Sequence, residues 1–505
     1  MERAYAARVM WPAPNRCLSL LALLALSVCA PVRAAELPLL LGGLLPPQPL
    51  VTPATPCTAP TDHLALRLWE LVRLEGGPDL TCGNAFQGFV RTPRSATVPE
   101  DAFQVTADQI RAAHSEVLLT TMEWRPGGVN PGMVFAQAVR DLHDRVLAHP
   151  EAYPQGMTIR LLLGGLPDFL RPDGATQVMS VAHDLRSLGV PLNDPTIGWT
   201  VTLLNYRYLP HSHVKLHVID GTDLTVAGYN YTDWHLPASE PGGRDLHDVG
   251  LHMSGPVAQS GVAVFDDLWR NSRELVCPDG VGADEVTVRC ALQPAAPPSH
   301  PAVVRAAVTT GSAHAFMLYR RTGVDQADLA HLALLDAART QVDLMQADFG
   351  PPLTCWYAYL NPSTCPTRDW TTYMTEVLSA LRRGVHVRLL LVDYGIGAAP
   401  NRSGVALLRR ELHRRGMDDR FEARYTTFNM HTKALTVDHE LVITGSMNFH
   451  FASWGSLGLA EAALATDDPT AVAEQEASFN EVWAHGSRPV PEERWLPNVV
   501  QDLVN

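Results

Sequence analysis

The sequence predicts an α/β protein of two lobes related by a pseudo-twofold axis. Helix-like and strand-like segments alternate in both halves of the 505-residue chain, a pattern typical of sheets covered by helices. The same spaced set of polar residues occurs once in each half. A Pro-rich stretch at 291–302 is interpreted as the linker between them. These observations predict a first lobe at 100–290 and a second lobe at 303–505.

Helix and strand units follow one another in the same order in each half. The predicted elements of the first half are a helix at 106–114, a strand at 116–123, a helix at 133–147 and a strand at 157–163. Those of the second half are a helix at 327–339, a strand at 342–348, a helix at 371–383 and a strand at 385–392. Alternation of this kind favours a largely parallel sheet.

Lysine occurs at only two positions, Lys215 and Lys433, and each follows a histidine by two residues. Arginine supplies the other positive side chains. Lysine differs from arginine in carrying a compact ammonium group on a flexible stem, which suits contact with one phosphate oxygen. The two lysines therefore indicate a specific site.

The segments around the two lysines are copies of one pattern. The first copy has His213, Lys215, Asp220 and Asn230, and the second has His431, Lys433, Asp438 and Asn448, with identical spacing. An acidic residue follows each copy, Asp248 in the first and Glu461 in the second. One His-x-Lys triplet is weak, whereas two copies with matching offsets strongly indicate a duplicated functional site.

At these residues the chain resembles the phospholipase D superfamily, whose HxK(x4)D(x6)GSxN signature appears in both halves. The resemblance implies two phospholipase D-like α/β lobes, each a mixed sheet flanked by helices. It also implies cleavage of a phosphodiester through a covalent phosphohistidine, with no metal and no cofactor. By this resemblance His213 is the expected nucleophile and His431 the expected general acid.

The remaining signature residues are expected to support the phosphate. The side chains of Lys215, Asn230, Lys433 and Asn448 would stabilise the charge that develops on it. The first copy departs from the family pattern, because Gly228 stands where the second copy has Ser446, whose hydroxyl is expected to contact the phosphate. The first half is therefore expected to rely on Asn230 and backbone amides.

The acidic residues of the two copies are assigned different tasks. Asp248 and Glu461 are predicted to orient the imidazoles through their far nitrogens, with solvated surface carboxylates as the alternative. Asp220 and Asp438 lie where a hairpin should turn, so they are predicted to be structural. Glu123 and Asp348 end equivalent strands, and both a cleft position and a solvated position stay open.

Other residues near the motifs are given structural interpretations. Phe265 and Trp269, and likewise Phe479 and Trp483, have the spacing of a packed helix face. His211 and His217 alternate with His213, but the second copy has Asn429 and Leu435 in their places. A metal site is therefore disfavoured, and His211 is assigned to the mouth of the pocket.

The N-terminal region predicts export. Residues 1–34 combine a basic stretch, a short apolar run and small residues before Ala35, as a signal peptide does, although an uncleaved anchor stays open. An N-terminal extension is assigned to 35–99. Six cysteines follow the signal, and their proximity favours the pairs Cys57–Cys82, Cys277–Cys290 and Cys355–Cys365, with other pairings open. A periplasmic or extracellular location is predicted.

The formal net charge of −14 disfavours a broad nucleic-acid surface and a polybasic membrane tether. A local pocket can still concentrate an anion. The expected function is a monomeric phospholipase D that cleaves phospholipid head groups at a membrane surface, with water or a small alcohol as acceptor. The alternatives are a secreted nuclease, a cardiolipin-synthase-like phosphatidyltransferase and a non-catalytic anion-binding protein.

Overall fold

The computed structural model describes residues 57–73, 79–93, 101–166, 173–207, 209–395 and 397–491. The predicted signal peptide and the first part of the N-terminal extension lie outside the described residues. Within them, no helix is both long enough and apolar enough to cross a membrane.

Two sheets organise the chain. The strands of the first sheet are β1 (Ala85–Thr92), β2 (Glu116–Thr121), β3 (Met157–Leu163), β4 (Asn193–Asp194), β5 (Trp199–Tyr206), β6 (Leu216–Ile219), β7 (Asp223–Ala227), β8 (Asp248–Ser254), β9 (Ser272–Val276) and β10 (Ala291–Pro294). Those of the second sheet are β11 (Ala315–Arg320), β12 (Gln341–Gln346), β13 (His386–Leu391), β14 (Phe421–Thr426), β15 (Lys433–Val437), β16 (Leu441–Gly445), β17 (Glu461–Thr466) and β18 (Ser487–Pro489).

Helices cover these sheets. In the first lobe and the segment before it they are α1 (His63–Val72), α2 (Ala102–Ala112), α3 (Pro131–Ala148), α4 (Thr176–Ser187), α5 (Val257–Arg270) and the short α6 (Val286–Arg289). In the second lobe they are α7 (Gln326–Ala337), α8 (Thr372–Arg383), α9 (Ala398–His413) and α10 (Pro469–His485). The predicted elements lie close to these, and the strand at 157–163 matches at both ends.

The two sheets have the same topology, which confirms the predicted duplication. Their strand orders are β1-β8-β7-β6-β2-β3-β5-β9-β10, with β4 on β5, and β11-β17-β16-β15-β12-β13-β14-β18. Only the β2-β3-β5 and β12-β13-β14 neighbours are parallel. The sheets are mixed rather than largely parallel, because tight hairpins join β6 to β7 and β15 to β16 and force antiparallel pairing.

The first helix of the first lobe begins earlier than the sequence predicts. Asp101 caps it by accepting a hydrogen bond from the backbone N–H of Phe103 at 2.8 Å. Thr106, the expected start, lies inside the helix, where its hydroxyl donates to the carbonyl oxygen of Ala102 at 2.9 Å. Asp is as good a cap as Thr, and here the earlier residue takes the position.

The described part of the predicted N-terminal extension belongs to both lobes. Strand β1 pairs with β8 in the first sheet, whereas Leu64 and Leu68 of α1 are buried in the core of the second lobe. The first residues of the predicted linker form strand β10, which pairs with β9. Burial of apolar residues in these segments draws them into the lobes, so the described part of 35–99 is not an appendage.

One apolar cluster joins the lobes. It combines Leu251 and Phe265 of the first lobe with Val442 and Leu464 of the second. The aromatic pairs at i, i+4 spacing lie on α5 and α10 and pack inward, as predicted. The cysteines pair as proposed from their proximity, at Cys57–Cys82, Cys277–Cys290 and Cys355–Cys365.

Candidate active site

The two His-x-Lys segments meet where the lobes join. The backbone N–H of His213 donates to the carbonyl oxygen of Ala460 at 2.8 Å, and that of His431 donates to the carbonyl oxygen of His247 at 2.7 Å. Ala460 immediately precedes Glu461, and His247 immediately precedes Asp248. The backbone of each histidine is therefore held by the opposite lobe, beside that lobe's acidic residue.

The imidazoles cross between the lobes in the same way. Nδ1 of His213 lies 2.8 Å from Oε2 of Glu461, and Nδ1 of His431 lies 2.7 Å from Oδ2 of Asp248. Because a carboxylate accepts, each Nδ1 carries the proton, which leaves Nε2 as the reactive nitrogen. The two carboxylates do contact imidazoles, and each contacts the histidine of the other copy.

Glu461 is held by two hydroxyl groups. Ser446 donates to its Oε2 at 2.5 Å and Ser453 donates to its Oε1 at 2.7 Å. Ser446 also receives the backbone N–H of Ala462 at 3.1 Å and is fully buried. Its hydroxyl is thus directed at the carboxylate, which differs from the expected contact with the phosphate.

Asp248 is held differently, and this explains the departure at Gly228. A Cβ atom on Gly228 would lie 2.3 Å from Oδ1 of Asp248, far inside contact distance. That oxygen accepts the backbone N–H of Val249 at 2.9 Å. The first lobe therefore has no room for a serine at this position.

Two residues of the site were missed by the sequence reasoning. His235 follows Asn230 by five residues, just as Ser453 follows Asn448, and both lie beside the carboxylate of their own lobe. The imidazole of His235 is buried, with its ring centre 5.8 Å from that of His431. Comparing the two copies beyond the asparagine would have found this pair of positions.

The lysines are buried beside the histidines. Nζ of Lys215 donates to the carbonyl oxygen of His213 at 2.8 Å, and Nζ of Lys433 donates to that of His431. Burial lowers the pKa of Lys215 to about 7, against the opposing charge of Glu461. Burial also lowers the pKa of Lys433, against the charge of Asp248.

The histidines are poised as neutral bases. Burial, reinforced by the two lysine charges, lowers the pKa of both His213 and His431 well below the usual range. Burial raises the pKa of Asp248 and Glu461. The site thus disfavours every isolated charge, and an entering phosphodiester anion would compensate the ammonium groups.

The two asparagines of the site differ in their hydrogen bonding. Oδ1 of Asn230 accepts a hydrogen bond from the hydroxyl of Thr121 at 3.4 Å. Oδ1 of Asn448 is buried and has no hydrogen-bond partner among the described residues. Because an unpaired buried polar atom is costly, Asn448 is suited to contact a bound molecule or water.

Glu123 and Asp348 lie near the lysines. The charge of Glu123 opposes the lowering of the Lys215 pKa, and the charge of Asp348 does the same for Lys433 and His431. Both side chains are half-buried. Of the two positions left open by the sequence, the structure favours the cleft.

Asp220 and Asp438 anchor hairpins to the sheet. Asp220 accepts hydrogen bonds from the backbone N–H groups of His114, Ser115 and Glu116, and Asp438 accepts them from those of Arg339, Thr340 and Gln341. Both aspartates have positive φ, 51° and 52°. These contacts fit the predicted structural role and fix each His-x-Lys segment against the start of the neighbouring strand.

The remaining histidines of the first copy separate from one another. The imidazole of His217 is buried and hydrogen-bonded to the hydroxyl of Tyr231. His211 is influenced by the charges of Lys215 and Glu461, and burial lowers its pKa to about 4. Of these two histidines, His211 lies within the electrostatic influence of the candidate site, and its place at the mouth of the pocket stays a prediction.

Two sets of side chains in the described ranges are close enough to share a cation. One is His235, Asp248 and His431, and the other is Asp62, His63 and Glu440. In the first set a cation would compete for the nitrogen and the oxygen that form the His431–Asp248 hydrogen bond. A metal held by these three residues would therefore prevent His431 from acting as the general acid.

Comparisons with known proteins agree with this fold. A family described as "Cardiolipin synthase, PLD-like domain" matches residues 332–483. No curated protein matches the chain significantly. The crystal structure of phosphatidylserine synthase from Haemophilus influenzae Rd KW20 has a TM-score of 0.53 and 13% identity, over 84% of this chain and 92% of that chain.

Two further solved structures match less closely. The phospholipase D family member Nuc from Salmonella typhimurium has a TM-score of 0.27 and 20% identity, over 36% of this chain and 100% of that chain. Polyphosphate kinase from Porphyromonas gingivalis has a TM-score of 0.45 and 11% identity, over 81% of this chain and 48% of that chain. Likeness at these identities concerns the fold alone.

The family match in the second lobe and the duplicated signature identify the class. A phospholipase D-like family model covers most of the second lobe, and the same signature is repeated in the first lobe, which supports membership of the phospholipase D superfamily. Members of this superfamily are phosphodiesterases or phosphotransferases, so a general enzyme role is supported.

Proposed function

We propose that the protein is an exported phospholipase D-type phosphodiesterase that releases phospholipid head groups through a phosphohistidine. The observation that carries this proposal is the crossed pair of imidazole–carboxylate contacts at the lobe interface. It gives two histidines with protonated Nδ1 and available Nε2, flanked by two lysines. Such a site can attack phosphorus from one side and protonate the leaving oxygen from the other.

The first step forms the covalent intermediate. Nε2 of His213 attacks phosphorus, the P–N bond forms and the bond from phosphorus to the head-group oxygen breaks. The proton of the His431 imidazolium passes to that oxygen, and the head-group alcohol departs. Lys215, Lys433 and the two asparagines stabilise the charge on the non-bridging oxygens.

The second step reverses the proton transfer. Neutral His431 takes a proton from water, whose oxygen attacks phosphorus, and the P–N bond breaks to release phosphatidate and His213. A small alcohol that enters instead of water would give a transfer product. The side chain of His431 is 26% exposed and that of His213 is 7% exposed, which supports His431 as the residue that meets the incoming acceptor.

Substrate binding also explains how His431, the proposed general acid, becomes protonated. Burial and the lysines lower the pKa of His431, so the unoccupied site favours a neutral imidazole. A bound phosphodiester anion offsets the lysine charges and favours the imidazolium that the first step needs. The proton is therefore taken up together with the substrate.

Charge supports a lipid rather than a nucleic acid as substrate. A nuclease holds several phosphates along a strand and uses a basic track to do so. This chain has a net charge of −14 and no lysine outside the two motifs. Three disulfides fit an oxidising compartment, which supports export to the periplasm or the cell exterior.

A phosphatidyltransferase is the second candidate. The family description that matches the second lobe refers to cardiolipin synthase, and transfer differs from hydrolysis only in the acceptor. Both activities would use the same residues. The balance between them depends on whether water or an alcohol reaches the phosphohistidine.

The test is turnover of the purified protein on phosphatidylcholine, phosphatidylglycerol and single-stranded oligonucleotide at equal phosphate concentration. We expect head-group release from the lipids, with a transfer product when ethanol or glycerol is added. Activity should survive EDTA and dialysis. Faster cleavage of the oligonucleotide would reassign the protein to the nucleases, and loss in EDTA with recovery in zinc or calcium would falsify the metal-free chemistry.

A further inference from the structure

Two segments of the second lobe that leave the candidate site present exposed apolar side chains. Tyr357, Leu360, Phe451 and Leu457 are 64%, 46%, 41% and 81% exposed. The ring of Trp356 lies 5.9 Å from that of Phe451 and connects the two groups of residues. We call Trp356, Tyr357, Leu360, Phe451 and Leu457 the aromatic lip.

The aromatic lip is continuous with the cleft. One part follows Asp348 on the loop after β12, and the other part lies between Asn448 and Glu461. These two segments are hydrogen-bonded where they leave the site. The backbone N–H of Phe449 donates to the carbonyl oxygen of Asp348 at 3.0 Å, and that of Gly350 donates to the carbonyl oxygen of Phe449 at 3.0 Å.

The loop that carries Trp356 and Tyr357 is fixed rather than loosely extended. The disulfide Cys355–Cys365 closes it. The buried hydroxyl of Ser403 donates to the carbonyl oxygen of Trp356 at 2.6 Å and accepts the backbone N–H of Tyr359 at 3.1 Å. These contacts hold apolar side chains in water, which is unfavourable unless a partner covers them.

The equivalent rim of the first lobe carries arginine side chains beside an indole ring. There the guanidinium groups of Arg125 and Arg244 lie 4.4 Å and 4.7 Å from the ring centre of Trp234, and Arg125 pairs with Asp233 at 2.7 Å. The carbonyl oxygen of Arg244 accepts a hydrogen bond from Asn429, two residues before His431. The cleft is therefore bordered by cations on one side and by apolar rings on the other.

We propose that the aromatic lip enters the surface of a zwitterionic phospholipid bilayer and guides the acyl side of a lipid towards the cleft. This inference rests on the proposed function. Trp and Tyr side chains are favoured at membrane interfaces because their rings are apolar and their polar groups stay hydrated. A protein of net charge −14 is repelled by anionic lipid, so apolar insertion into a neutral surface is the favoured mode.

Binding to vesicles tests the lip separately from catalysis. The full chain without its predicted signal, carrying His213→Asn to prevent turnover, is sedimented with phosphatidylcholine vesicles. We expect the triple variant Tyr357→Ser, Leu360→Ser, Phe451→Ser to bind at least tenfold more weakly. The matched control replaces exposed apolar residues on other helices, Leu147→Ser, Val288→Ser and Leu329→Ser, and should bind as the parent does.

Activity provides the second readout. With His213 intact, the triple variant should lose about tenfold on phosphatidylcholine vesicles and keep its rate on a short-chain phosphatidylcholine below its micellar concentration. Leu457→Asp is a second variant that leaves packing intact, because this side chain is the most exposed of the lip, and it should show the same pattern.

Several outcomes would overturn the inference. They are unchanged vesicle binding in both lip variants, equal losses on monomeric and vesicle substrate, or stronger binding to anionic vesicles that disappears with salt. Failure of the proposed function would differ, because the parent would then release no head group from the monomeric lipid, while vesicle binding would still report on the lip.

Discussion

The two lobes have the same strand order, yet they support their catalytic carboxylates in different ways. In the second lobe, hydroxyl groups of Ser446 and Ser453 donate to Glu461. In the first lobe, Gly228 makes room for Asp248, and the imidazole of His235 occupies the position equivalent to Ser453. The duplicated fold thus keeps the imidazole–carboxylate contact while the surroundings of the carboxylate diverge.

This difference gives the two histidines unequal environments. The carboxylate that holds His213 accepts hydrogen bonds from two hydroxyl groups and therefore attracts an extra proton more weakly. The carboxylate that holds His431 accepts one backbone N–H besides that imidazole, and this imidazole is the more exposed of the two. A neutral nucleophile and a charged acid need such an inequality, and it is consistent with the order of roles assigned from the family resemblance.

Replacing each histidine gives the largest expected effect and tests that order. His213→Asn and His431→Asn should each lower turnover on phosphatidylcholine at least roughly a hundredfold. On a phosphodiester with a p-nitrophenol leaving group, which needs no protonation, His431→Asn should still release p-nitrophenol rapidly in a single turnover, although hydrolysis of the phosphohistidine stays slow, and His213→Asn should not. The reverse result would exchange the roles, and labelled phosphate trapped on His213 after rapid quenching would support them.

Removing the charge of each carboxylate tests the crossed contacts. Glu461→Gln and Asp248→Asn keep the size of the side chain and should lower turnover at least roughly tenfold, the lower end of the loss seen when a partner that orients a metal-bound imidazole is removed. Glu461→Gln should slow mainly the formation of the phosphohistidine, whereas Asp248→Asn should slow both steps, because His431 is the acid in the first and the base in the second. Single-turnover kinetics distinguish these effects, and equal slowing of both steps in both variants would contradict the assignment.

Alanine at the divergent motif position compares the lobes directly. Gly228→Ala places a Cβ 2.3 Å from Asp248, so it should lower the free energy of unfolding by about 1–3 kcal/mol. Ser446→Ala removes a hydrogen bond to Glu461 and the acceptor of the Ala462 N–H, so it should cost about 1–3 kcal/mol. Urea unfolding measures the two losses of stability. Gly282→Ala is the control, because the atom nearest to its added Cβ would be 3.7 Å away. A loss at Gly228 no larger than that of the control would contradict the steric explanation of this glycine.

The pKa of Lys215 predicts the smallest effect, which appears in the pH dependence. Because burial lowers this pKa to about 7, the free enzyme loses the ammonium charge as the pH rises above that value. The kcat/KM for lipid should therefore fall above about pH 7, while kcat persists to higher pH because the bound phosphate retains the proton. The side chain in Lys215→Arg stays charged, so the kcat/KM of this variant should be lower than that of the parent but independent of pH over this range.

The free energy of unfolding should also depend on the protonation of Lys215, but it should rise with pH where kcat/KM falls. The unfolded chain keeps the Lys215 proton up to its ordinary pKa, so between about pH 7 and that value the unfolded state binds more protons and the free energy of unfolding rises with pH. This rise should be smaller in Lys215→Met. Unchanged slopes in the variant would show that the lysine is not desolvated in the folded protein.

Much of this organisation follows from local patterns in the sequence. The alternation of helices and strands gave the lobes, and the spacing of His213, Lys215 and their copies gave the signature, because periodicity and local spacing are properties of neighbouring residues. The cysteine pairs and the hairpin aspartates could be found for the same reason, since each partner lies close in the chain or in a recurrent turn.

The partners of the histidines could be decided only by the tertiary structure. His213 and Glu461 are separated by 248 positions in the chain, and His431 and Asp248 are separated by 183. No local pattern shows that each lobe holds the histidine of the other. The same applies to Ser446, whose hydroxyl turns to a buried carboxylate, and to Gly228, whose missing side chain makes room for Asp248. The sequence by itself determined which groups carry the chemistry, whereas packing of the two lobes determined which groups touch.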